Sequence, residues 1–71
     1  MRLLDLPLNT PARLLSLDEM RAKLKQYGLY AGDEVRVLRA APLGGPLLIE
    51  VNGRAIALGR AVAEKILVEI Q

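Results

Sequence analysis

Leu47-Leu48-Ile49-Glu50-Val51-Asn52-Gly53-Arg54-Ala55-Ile56-Ala57-Leu58 is the stretch that decides how this chain folds. Asn-Gly between two apolar runs is the signal of a two-residue type I′ turn, because both central residues of that turn need positive φ. Closing the turn at Asn52-Gly53 pairs Val51 with Arg54, Ile49 with Ile56 and Leu47 with Leu58. These pairs share one face of the hairpin, and two of the three are wholly apolar. Glu50 with Ala55 and Leu48 with Ala57 occupy the other face. Turn chemistry and hydrophobic register select the same alignment.

Upstream of the hairpin, Pro42-Leu43-Gly44-Gly45-Pro46 is a loop by composition. Glu34 to Arg39 alternates as a strand, with Val35 and Val37 on one face and Glu34 and Arg36 on the other; Leu38 breaks the pattern, as a bulge or a strand end would. Ala31-Gly32-Asp33 is a turn. Asp18 to Tyr27 reads as an amphipathic helix, because Met20, Leu24 and Tyr27 recur at i, i+4 and i+7. Ser16 and Glu19 have the spacing of a capping box, Asp18 is an alternative N-cap, and Gly28 stands where a left-handed C-terminal cap is wanted. A short strand is expected over Ala12 to Leu17. Leu3 to Pro11 holds two prolines and is expected to be an irregular lead-in whose leucines pack onto the core.

Downstream, Arg60 to Lys65 is about one helical turn. Ile66 to Ile70 reads as a last strand with Ile66, Val68 and Ile70 on one face. The elements add up to five short strands, one amphipathic helix and a short helical turn before the last strand. An open five-stranded sheet leaves two edges exposed, and closure into a small barrel removes them. The expected fold is mainly β, a small SH3-like barrel with the first helix packed against one end or side, forming a single domain over residues 1–71.

Composition narrows the function. The 71 residues contain neither Cys nor His, which excludes disulfides, thiolate or imidazole metal sites, and imidazole or thiol catalysis. Ser16 and Thr10 are the only Ser and Thr. The acidic residues are scattered and do not follow a calcium-loop spacing. Gly44-Gly45 lacks the Lys and the following helix of a phosphate loop. No catalytic residue, metal ligand or cofactor site is therefore expected, and the protein is expected not to be an enzyme. With 52% hydrophobic residues but no Phe or Trp, the interior must be built from Leu, Ile, Val and Ala.

The net charge of +2 suits a mixed, soluble surface. Nucleic-acid barrels stack bases on aromatic side chains, and this chain has only Tyr27 and Tyr30, so no nucleic acid is expected. Asp5 and Pro7 interrupt the apolar run that a secretory signal requires, and no apolar stretch is long enough to span a bilayer. A cytoplasmic location is the expectation.

Several stretches, taken together, resemble the FeoA family of bacterial ferrous iron uptake. Tyr27-Gly28-Leu29-Tyr30-Ala31-Gly32-Asp33-Glu34-Val35-Arg36-Val37 is similar to that family's "LGL-x-PG-x-x-V-x-V" segment, with Ala31 in place of its usual Pro. Ala41 to Leu47 resembles its "APLG-x-P" loop, Ile49 to Leu58 its "I-x-V-x-G-x-x-I-A-L" hairpin, and Arg60, Ala63, Ile66 and Val68 its closing "R-x-x-A-x-x-I-x-V". Asn9-Thr10-Pro11-Ala12 stands where the family has a Gly-rich entry to its first strand. The resemblance implies an SH3-like barrel that works by protein–protein contact with FeoB, a membrane permease carrying a GTP-binding domain. It carries over no metal ligand set.

The expected function is thus that of a small adaptor which binds and modulates the cytosolic part of an FeoB-type permease, and which is peripheral to the membrane only through that partner. The residues expected to meet the partner are Leu43, Gly44, Gly45 and Leu48 at the Pro42–Pro46 loop and hairpin, and Arg21 and Lys25 on the helix. The alternatives are a nucleic-acid-binding small barrel, to which Arg13, Arg36, Arg39 and Arg54 would contribute, and a self-associating regulatory module of the kind found in iron-dependent repressors, a homo-oligomer joined through a strand edge or a swapped terminus.

Overall fold

A computed structural model describes residues 1–15 and 20–71. A single 3-10 turn over Leu3–Asp5 precedes β1 (Ala12–Leu14), α1 (Arg21–Gln26), β2 (Glu34–Ala40), β3 (Leu47–Val51), β4 (Arg54–Leu58), α2 (Arg60–Ala63) and β5 (Val68–Ile70). The five strands are antiparallel and hydrogen-bonded in the order β4-β3-β2-β1-β5. All five contribute to one buried aliphatic cluster: Ala12, Leu14, Val35, Val37, Leu47, Ile49, Val51, Leu58 and Val68. Gathered around one core, the sheet gives the small mainly β barrel expected from the sequence, but among the described residues β4 and β5 do not pair, so the closure expected to remove both edges is incomplete.

The hairpin forms in the register read from its turn. Val51 pairs with Arg54, Glu50 with Ala55, Ile49 with Ile56, Leu48 with Ala57 and Leu47 with Leu58. Asn52 at φ 51° and Gly53 at φ 77° supply the two left-handed positions of the I′ turn. In β2, Val35 and Val37 are buried, and the register against β3 shifts between Val37 and Arg39. Leu38 is therefore the extra residue of a bulge, and the strand continues past it to Ala40.

Other boundaries differ from expectation. β1 ends at Leu14, and residues 16 and 17 lie outside the described residues. The α-helix begins at Arg21, after Met20. The expected start at Asp18 and the capping pair of Ser16 and Glu19 also lie outside the described residues. At the other end Tyr27 is the C-cap and Gly28 takes φ +78°, as its place after the apolar stripe implied. Leu24 is buried, with Met20 and Tyr27 partly buried against the core. α2 stops at Ala63, and a turn carries the chain through Lys65.

β5 starts at Val68, not Ile66. The Ile66 N–H donates to Ala63 O, so this residue still belongs to the turn that leaves α2, although its side chain is fully buried. Ile70 pairs with Ala12 but remains 45% exposed. In the lead-in, Leu3 and Leu6 are buried and Leu4 is partly buried, whereas Leu8 is 55% exposed and does not join the core.

The two ends of the ladder are treated differently. Val68 N–H donates to Met1 O at 2.7 Å, the Met1 amino group donates to Val68 O at 2.9 Å, and Leu3 N–H donates to Ile66 O at 2.8 Å. The N-terminal residues thereby cover the start of β5. No such cover lies along β4 among the described residues.

Candidate protein-docking surface

The loop between β2 and β3 is held shut at its base by Ala41 N–H donating to Pro46 O at 3.0 Å, and tightened inside by Gly45 N–H donating to Pro42 O at 3.2 Å. This turn lifts Leu43 to its tip. Leu43 is 103% exposed and sits at φ 58°, a left-handed conformation that costs a residue with a Cβ roughly 1–2 kcal/mol. Gly44 follows at φ 76°. A Cβ on Gly45 would lie 2.7 Å from Ala41 Cβ, so this position accepts no side chain without the loop moving.

Leu48 is half-buried on the outer face of the hairpin, between Arg39 of β2 and Ala57 of β4 in register. Together with Ala41, Pro46 and Leu47 these residues line a shallow hollow of about 180 Å³ at the foot of the loop. The structure therefore joins Leu48 to the base of the loop carrying Leu43, Gly44 and Gly45.

Arg21 and Lys25 stand elsewhere. They lie one helical turn apart on α1 and border a second groove of about 190 Å³, floored by Leu14, Leu15, Leu24 and Leu29, with Tyr30 also in its lining. The two grooves share no lining residue. The six residues expected to meet a partner thus form two surfaces, not one. Ala57 is the partner that the hairpin register already gave Leu48, and Arg39 alone was missed as their companion, because the bulge at Leu38 offsets β2 against β3.

The outer face of the sheet carries charges in rows of alternating sign. Arg13 is paired in register with Glu34 on one side and Glu69 on the other. Arg36 faces Glu50 and forms an ion pair with it. A hydrogen bond from Arg36 to Glu50, reinforced by the attraction between the two charges, raises the guanidinium above its ordinary value. Arg2 is raised in the same way by Asp5, 3.0 Å away. The Arg2–Asp5 pair is about half-exposed and the Arg36–Glu50 pair partly buried, and both organise the surface.

The FeoA domain model matches residues 1–70. The FeoA protein of Chlorobium tepidum is 36% identical, with 99% of this chain covering 70% of that one at a TM-score of 0.82. An iron uptake regulatory protein, also an FeoA, is 27% identical, with 100% of this chain covering 96% of that one at a TM-score of 0.84. The FeoA of Stenotrophomonas maltophilia, complexed with zinc and described as an SH3 domain protein and candidate ferrous iron transport activating factor, is 33% identical, with 97% of this chain covering 89% of that one at a TM-score of 0.77. A search of curated proteins returns no match.

Zinc does not fit the donors present here. The chain lacks Cys and His, and among the described residues no three carboxylates gather where they could hold an ion. No helix among the described residues is long and apolar enough to cross a membrane. On the match along nearly its whole length and the shared SH3-like barrel, the chain belongs to the FeoA family, which is linked to ferrous iron transport.

Proposed function

We propose that this protein is a cytoplasmic, non-enzymatic accessory of ferrous iron uptake that binds the cytosolic part of an FeoB-type permease and modulates it by contact. The observation that carries this reading is Leu43. A fully exposed leucine in a left-handed conformation adds strain and no burial to its own fold, so the return for that conformation lies at the surface. The apolar hollow at the foot of the same loop extends the patch. Two of the four arginines that a nucleic-acid interface would use sit opposite acids, Arg13 between Glu34 and Glu69 in register and Arg36 in an ion pair with Glu50, which weakens that alternative.

The test is binding of the intact protein to the isolated cytosolic part of the permease, with and without guanine nucleotide. Binding in the micromolar range, weakened about tenfold or more by Leu43→Asp, is expected. No binding of the wild-type chain under either condition overturns the reading.

A further inference from the structure

The bare end of the ladder has the features of a strand acceptor. Residues that flank a two-residue hairpin turn form a hydrogen-bonded pair, and such pairs recur at every second residue. Arg54, Ile56 and Leu58 accordingly turn their backbone groups toward β3, whereas Ala55 and Ala57 turn theirs outward. No backbone bond outside the β3 ladder reaches Ala55 or Ala57 among the described residues. Exposed edges are ordinarily guarded by Lys, Pro or charged side chains. Here both outward positions are exposed alanines, too small to block an incoming strand.

The charge around this edge has one sign. Arg54 opens β4, Arg60 follows its end, and Arg39 stands in the register row Arg39–Leu48–Ala57. Among the described residues no carboxylate lies within ion-pair distance of these three arginines, and Glu50, the acid on the neighbouring row, is engaged by Arg36. The apolar hollow bounded by Ala57, Leu48 and Pro46 opens beside the edge.

We propose that the β4 edge receives an extended acidic segment of a protein partner as a sixth strand. The outward N–H and C=O groups of Ala55 and Ala57 supply the main-chain bonds, the hollow takes an apolar side chain, and the arginines select acidic residues. The proposal rests on the adaptor reading and deepens it by naming the recognised chemistry. A second copy of the chain fits the edge less well. Antiparallel pairing of two β4 strands about Ile56 would gather the arginines of both copies along one seam with no acid to oppose them.

The probe is a synthetic peptide of alternating Val and Glu, titrated into the isotope-labelled intact protein and followed by amide NMR and hydrogen exchange. Shifts and slowed exchange at the Ala55 and Ala57 amides are expected. Ala57→Pro removes an outward N–H and no ladder bond, so it is compatible with an edge strand. It should weaken binding about tenfold. The double substitution Arg39→Glu, Arg60→Glu leaves the β4 backbone untouched and should weaken binding by at least as much.

The proposal falls if the peptide does not bind at millimolar concentration, if a Val-Lys counterpart binds equally, or if the shifts are confined to α1 or the 42–46 loop. It also falls if a thymidine oligonucleotide displaces the peptide from Ala55, or if sedimentation shows a dimer that Ala57→Pro dissolves. Permease binding separates the two readings. Wild type and Ala57→Pro binding equally well overturns the edge and leaves the adaptor standing. Wild type failing to bind the permease while the peptide docks as expected supports the edge and removes the permease.

Discussion

Leu43 sets conformational cost against burial at a single position. Its φ of 58° suits glycine, its side chain is wholly in solvent, and its neighbour Gly44 has the same hand. Leu43→Gly should therefore raise stability by about 0.5–1 kcal/mol, a gain of roughly 2–8 °C in Tm for a domain of this size. Thermal unfolding measures this directly. An unchanged or lower Tm would mean that the leucine supports the fold and would remove the argument that it is kept for contact. The exposure of Leu43 was legible in its place between Pro42 and two glycines, but its left-handed backbone was not, because leucine adopts that conformation only where a tight loop imposes it.

At the scale of elements, legibility follows how local the deciding interaction is. The β3–β4 hairpin was readable residue by residue because Asn52-Gly53 and the apolar alternation act over a dozen neighbouring positions. Gly53→Ala would force a Cβ into φ 77° and should cost about 1 kcal/mol, lowering Tm by roughly 4–8 °C. The amide NMR pattern of paired β3 and β4 residues should survive the change. A shifted register would show that the apolar face does not hold the alignment once the turn is weakened. The start of β5 was not readable, because Ile66 looks like the first residue of an alternating run. Its carbonyl is instead taken by Leu3, from the far end of the chain, and its N–H by the turn leaving α2.

For the molecule as a whole, an all-aliphatic core in 71 residues leaves little margin. Ile49, fully buried on β3 and flanked by β2 and β4, is the test case. Ile49→Ala should cost about 2–5 kcal/mol, a large share of the stability of a domain this small, and denaturant titration should show the midpoint fall or folding lost. A loss below about 1 kcal/mol would mean that the curled sheet collapses around the cavity more readily than close packing allows. Residue types and their near neighbours were enough to place the hairpin with its tight turn, the alternation of β2, the helical stripe and the absence of Cys and His, because each depends on positions only a few residues apart. Only the folded chain shows that the expected contact residues split between two surfaces, that Arg39 joins the Leu48–Ala57 pair in one row, and that Met1 to Leu3 cover one sheet edge while no such cover lies along β4 among the described residues. Those outcomes depend on pairing between residues far apart in the chain and on a bulge that offsets the register, and no local pattern encodes either.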